Sequence, residues 1–122
     1  MKSPYKGKTG LTRLWNALHY SIDGFKAAYE HEDAFRQEVR LALVMVPLGL
    51  YLGQTGVERA LLVASVLLVM VVELLNSAVE ATVDRISLEN HLLAKRAKDI
   101  GSAAVLSSLV MLAVVWGFVL FG

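Results

Sequence analysis

The sequence predicts an all-α integral membrane protein: three membrane-spanning helices preceded by an amphipathic helix on the membrane surface. Three observations lead there. Apolar residues make up 56% of the 122 residues and mean hydropathy is +0.54, against ~45–50% apolar in a water-soluble domain. The charged residues, 19% of the chain, gather at the edges of long uncharged blocks. Between residues 11 and 29, apolar side chains recur at helical steps. The length allows a single domain, residues 1–122. The near balance of 12 Lys and Arg against 11 Asp and Glu gives no bulk field for nucleic acid. With no cysteine, a disulfide scaffold and a thiolate zinc site are excluded.

The surface helix is expected over residues 10–30. Leu11, Leu14, Trp15, Leu18, Ile22, Phe25 and Tyr29 form one stripe, with Arg13, Asn16, Asp23 and Lys26 largely between them. Such a helix lies in the headgroup plane, or packs as a collar on the others. No cleavable signal precedes it, because the stretch after the basic residues 1–10 is amphipathic.

The first span, residues 36–53, draws on the 17 uncharged residues from Leu41 to Val57, although Pro47 and Gly49 interrupt it. The second, residues 59–84, contains the 24 residues Ala60 to Val83, whose only charges are Glu73 and Glu80. The third, residues 97–121, contains the uncharged run Ile100 to Gly122. A bilayer core needs a helix of ~17–25 apolar residues. The alternative, a soluble three-helix core, is disfavoured because the third segment has no polar face beyond Ser102, Ser107 and Ser108. Residues 1–40 hold seven Lys or Arg, the connection Asp84 to Asp99 holds four, and the link Gly53 to Arg59 holds one. The positive-inside rule then puts the N-terminus and second connection in the cytoplasm and the C-terminus in the periplasm.

Inside the second span, Glu73, Asn76, Ser77, Glu80 and Asp84 follow one another at steps of 3, 1, 3 and 4. At ~100° per residue they share one face. A carboxylate at membrane depth costs ~2.5 kcal/mol or more and usually marks function. Two on one stripe repel unless a cation or a shared proton intervenes. Pairing with Arg or Lys alone is the plainer reading, but no basic residue lies deep in any span. A hard divalent cation arriving with substrate phosphates suits the stripe better. Glu30, Glu32 and Asp33 offer further acids, and Lys98, Arg13 or Arg36 offer cations for phosphate. Gly7-Lys8-Thr9 imitates the end of a P-loop, but Lys2 stands where its opening glycine should be. His19, His31 and His91 have no metal-ligand spacing.

The segment Glu73-Leu-Leu-Asn76-Ser77-Ala-Val-Glu80-Ala-Thr-Val-Asp84-Arg85 resembles the signature of the small prokaryotic diacylglycerol kinases. The similarity continues through Ala94-Lys95-Arg96-Ala97-Lys98-Asp99-Ile100-Gly101-Ser102-Ala103-Ala104-Val105. Upstream, Gly10-Leu-Thr12-Arg13 and Glu32-Asp33-Ala34-Phe35-Arg36-Gln37-Glu38 extend it over nearly the whole chain.

The resemblance implies an inner-membrane homotrimer with active sites shared between subunits, moving the γ-phosphate of Mg-ATP to the primary hydroxyl of diacylglycerol. By position, Glu73 is implied as general base with Asn76 beside the reacting groups, and Glu32 and Glu80 as Mg²⁺ ligands. Arg13, Tyr20, Glu32, Glu80, Glu89, Asn90, His91, Lys98 and Asp99 are implied on the ATP side, with Asn90 standing where an aromatic residue is usual. Arg13, Ala34, Phe35, Arg36, Gln37, Glu38, Tyr51, Arg59, Glu73 and Ser102 are implied on the lipid side, Tyr51 replacing a Trp.

Two rival readings stand beside it. Undecaprenol kinases share the fold and the catalytic stripe; the Ala34 to Glu38 block and the Trp15-bearing helix look more like the diacylglycerol branch. A small proton- or cation-coupled transporter would use Glu73 as its membrane carboxylate, but leaves the rim acids and the Lys98-Asp99 pair without work.

Overall fold

The computed structural model describes residues 10–86 and 92–122, and these form four helices. Helix α1 runs Gly10–His31, α2 Asp33–Leu52, α3 Gly56–Ile86 and α4 Leu92–Phe121. All four follow from blocks of helix-compatible sequence, and the breaks fall where backbone or side-chain chemistry ends them.

Helices α1 and α2 meet at one residue. Glu32 is extended (φ −119°, ψ 109°), closing α1 through its N–H to Ala28 O (2.9 Å) and opening α2 by accepting from Arg36 N–H (3.2 Å). Arg36 secures the corner. Its Nη1 donates to Tyr29 O (2.7 Å) and Glu30 O (3.0 Å), satisfying carbonyls that the end of α1 leaves open, while Nη2 pairs with Asp33.

The α2–α3 turn is closed by reciprocal capping. Glu58 N–H donates to Thr55 Oγ1 (3.1 Å), and Glu58 Oε1 accepts from Gln54 N–H (3.1 Å), a close relative of the capping box. Arg59 Nε reaches back to Leu50 O (3.2 Å), capping the end of α2.

Helix α3 is the axis of the molecule. Its buried residues Leu62, Ser65, Val66, Val69 and Glu73 recur at steps of three and four, so one stripe receives both α2 and α4. At the end remote from Glu73, Trp116 of α4 donates from Nε1 to Leu62 O (3.2 Å) and Ser65 Oγ (3.1 Å). Gly49 of α2 completes this crossing: a Cβ there would lie 3.1 Å from Leu62 Cβ and 3.4 Å from the Trp116 ring. Pro47, inside α2, removes one backbone donor without ending the helix.

Helices α3 and α4, 31 and 30 residues long, are long and apolar enough to cross a bilayer. At ~1.5 Å per residue each exceeds a ~30 Å hydrocarbon core. Of α4 only Ser108 is buried, and Leu106, Val110, Met111, Val114 and Phe118 are exposed. Water would not tolerate so continuous an apolar face, whereas lipid or another subunit would. The fold is that of a helical membrane protein. In α2 the uncharged part of the helix is only Leu41–Leu52, 12 residues, because Arg36, Glu38 and Arg40 occupy its first turns. The stripe of α1 stays uncovered, with Leu11, Leu14 and Trp15 more than 60% exposed and Ala28 its only buried residue.

Candidate active site

Glu73 continues the apolar core stripe of α3, yet it is a carboxylate and only 5% exposed. Its electrostatic neighbours are Glu38 first, then Glu80 and Glu32. Four carboxylates from α2, α3 and the α1–α2 corner therefore converge on one region. A packed core offers no reason to assemble like charges, which repel unless a counter-cation or a shared proton intervenes. No cluster of three or more acidic or histidine side chains closes to metal-holding distance among the described residues.

Asn76 stands one turn from Glu73 towards the charged end of α3. Its Nδ2 donates to Glu80 Oε1 at 3.3 Å. Among the described residues its buried Oδ1 has no hydrogen-bond partner, and it lies against Gly101 of α4. Beyond Glu80 the seam reaches Asp84, whose Oδ1 receives Lys98 Nζ of α4 at 2.6 Å. Lys95 pairs with Asp99 one turn away on α4, also at 2.6 Å. Both ion pairs are largely exposed. Two lysines and their acidic partners thus form a rim over the buried end of the seam.

Helix α1 faces the flank of α3 beside the seam across a cleft of about 490 Å³, lined by Ser21, Gly24 and Phe25 on one side and Leu74, Ser77 and Ala81 on the other, with His31 and Glu32 among its lining residues. This cleft offers an apolar floor, hydroxyls from Ser21 and Ser77, the His31 imidazole and one carboxylate.

Of the residues expected at the site, the structure brings together Glu32, Glu38, Glu73, Asn76, Glu80 and Lys98. Ser102 follows Gly101 on α4 and is exposed. Ala34 and Gln37 are exposed at the start of α2. Phe35 is a core residue, 2% exposed, and Arg36 is committed to the α1–α2 corner. Tyr51 and Arg59 are not brought to the seam: they sit at the opposite end of α3, fourteen residues or ~21 Å along the helix in the case of Arg59. Arg13 and Tyr20 lie along α1, Arg13 near its start. Glu89, Asn90 and His91 fall outside the described residues.

Two participants carried no separate role in the sequence. Asp84 shares the stripe, but only the structure pairs it with Lys98. Gly101 shows nothing in its type beyond small size; its meeting with Asn76 depends on how α4 crosses α3.

A buried carboxylate thus shares one face of an apolar helix with a rim of paired charges. The model of the prokaryotic diacylglycerol kinases matches residues 19–120. The chain belongs to that family. Diacylglycerol kinase of Pseudomonas aeruginosa is 53% identical over 120 residues, 98% of both chains. That of Haemophilus influenzae is 53% identical over 113 residues, covering 93% of this chain and 96% of its own. That of Escherichia coli K12 is 48% identical over 113 residues, 93% of each. As a prokaryotic diacylglycerol kinase by family, the chain is an enzyme, a lipid kinase, and the seam of α3 is the place to look for its chemistry.

Proposed function

We propose that this chain transfers the γ-phosphate of Mg-ATP to the primary hydroxyl of diacylglycerol, giving phosphatidic acid, at the cytoplasmic face of the inner membrane. The observation that carries the reading is the burial of Glu73 in the core stripe of α3, two turns below Glu80. A diglyceride presents its hydroxyl at the headgroup boundary, while nucleotide arrives from water. A buried carboxylate and a rim carboxylate on one helix face match that division.

Glu73 accepts the hydroxyl proton as the lipid oxygen attacks the γ-phosphorus and the bond to the ADP oxygen breaks. Asn76 holds Glu80 through its amide and stands between the two acids. Glu80 and Glu32 would hold the divalent cation. The donor set fits one: carboxylate oxygens without thiolate, from α3 and the α1–α2 corner, suit a hard ion whose other ligands come from water and phosphate. Magnesium, when bound with ATP, neutralises charge on the phosphates. Lys98 moves from Asp84 to the phosphates, and Asp99, Arg13, Tyr20 and the 89–91 segment complete the nucleotide side. Because transfer of a phosphoryl group needs little covalent help, positioning and charge suffice for most of the rate.

The same reading holds three spans per subunit, α2 being the first, with Arg36 and Arg40 at the cytoplasmic rim and Tyr51 at the far interface. It holds a homotrimer with shared sites, supported by the uncovered surface of α4 and its exposed small residues Ser102, Ala103, Ala104 and Ser107. The N-terminus is cytoplasmic and the C-terminus periplasmic.

The test is transfer of labelled γ-phosphate to extracted lipid, with diacylglycerol and undecaprenol offered in parallel. Label is expected on diacylglycerol and should vanish in Glu73→Gln. Label on undecaprenol alone would reassign the acceptor, and label on neither would overturn the reading.

A further inference from the structure

We infer that Gly101 is a positioning residue: its missing side chain lets the Asn76 carbonyl dock on the backbone of α4, which aims the Asn76 amide at Glu80. Three observations meet at this point. A Cβ built on Gly101 would collide with Asn76 Oδ1, and its other near neighbour is Asn76 Cγ, at 3.2 Å. The same Oδ1 is buried and has no hydrogen-bond partner. The other end of the amide donates to Glu80 Oε1 at 3.3 Å.

The physical account joins them. On glycine a hydrogen stands in place of Cβ, so one Cα–H lies on the side of α4 that meets Oδ1. Weak Cα–H···O contacts of this kind recur where helices cross closely. They leave Oδ1 less orphaned than a conventional count suggests, and only glycine supplies that hydrogen. The orientation of the amide follows as well. Were Oδ1 turned to Glu80, two acceptor oxygens would face each other, so the carboxylate selects Nδ2 and the carbonyl must go to α4. The amide is thus wedged between a carboxylate on its own helix and a backbone on the next. Any larger residue at this position drives the wedge out, and Glu80 loses the donor that fixes one of its oxygens.

This inference rests on the reading of Glu80 as a cation ligand, and its consequence is specific. With the donor withdrawn, Glu80 swings more freely and presents its oxygens to the cation less consistently. Gly101→Ala should therefore act on the cation requirement and on turnover, rather than on assembly alone.

The experiment compares wild type, Gly101→Ala, Asn76→Ala and the Gly101→Ala/Asn76→Ala double variant as full chains in detergent micelles. Three quantities are read: the side-chain amide resonances of ¹⁵N-labelled Asn76 (assigned by their loss in Asn76→Ala), the half-saturating Mg²⁺ concentration for lipid phosphorylation, and thermal stability. In Gly101→Ala the Asn76 amide resonances should move, half-saturating Mg²⁺ should rise fivefold or more, and kcat should fall at least tenfold. The double variant should be no less stable than Asn76→Ala, since the carbonyl that the introduced methyl group would strike is gone. If Gly101→Ala alone fails to fold, recovery of folding in the double variant supports the inference equally. Unmoved amide resonances, an unchanged Mg²⁺ requirement, or a double variant that also fails to fold would each overturn it. The resonance and stability readings need no catalysis. An inactive wild type with a displaced Asn76 amide in Gly101→Ala would sink the kinase reading while leaving the contact established.

Discussion

Lys98 of α4 donates to Asp84 of α3 across the helix crossing at 2.6 Å, so the cation assigned to phosphate is already engaged by a carboxylate. On the proposed function, nucleotide would compete with that carboxylate for it. The pair is exposed, and exposed pairs are weak. Asp84→Asn should therefore lower the KM for ATP by no more than about fivefold, the range such pairs cover. Steady-state kinetics at fixed lipid decides; a raised KM would mean that Asp84 itself helps hold the nucleotide.

Glu73 and Glu80 should separate in kinetics although they share a face. Glu73→Gln is expected to reduce kcat by at least about a hundredfold, the lower end of general-base contributions, with KM for Mg-ATP nearly unchanged. Glu80→Gln and Glu32→Gln should raise the KM for Mg-ATP and the Mg²⁺ requirement together. Initial rates over a grid of Mg²⁺ and ATP concentrations check both halves of the prediction.

At the other end of α3 the consequences are structural. Trp116→Phe removes two hydrogen bonds, to Leu62 O and Ser65 Oγ, and leaves the Ser65 hydroxyl bonded only to Leu62 O. A loss of roughly 1–2 kcal/mol is expected, with activity retained at low temperature. Thermal inactivation in micelles measures it.

Gly49→Val should be worse, because its side chain enters the space held by Leu62 and Trp116. Overpacking of this kind costs about 1–3 kcal/mol. Trp116→Leu in the same chain should recover part of that loss if the indole is what the new methyl groups strike.

Much of this could be read from the residues in order. The charge-free blocks announced α3 and α4, the spacing of Leu11 to Tyr29 announced α1, and the steps from Glu73 to Asp84 put the acids on one face. Pro47 and Gly49 fall inside the first span expected over residues 36–53; α2 runs through both, and Gly49 is where it packs against Leu62 of α3 and Trp116 of α4. Pairwise geometry was the illegible part. Periodicity tells which face a residue occupies, but not which partner it meets across a crossing. Hence Lys98 reads as a free phosphate ligand and is found on Asp84. Arg36 reads as a site cation and is found capping α1. Arg59 carries a lipid role in the resemblance and is found closing α2 at the far end.

The joint between α1 and α2 is one residue long and has no slack. Adding a single amino acid beside Glu32 would advance the phase of the first helix by ~100° relative to the second. Its band of Leu11, Leu14 and Trp15 would then turn sideways or upward while the carboxylate stayed behind. The direction of that apolar band and the position of the Glu32 carboxylate are thereby fixed by the same single residue.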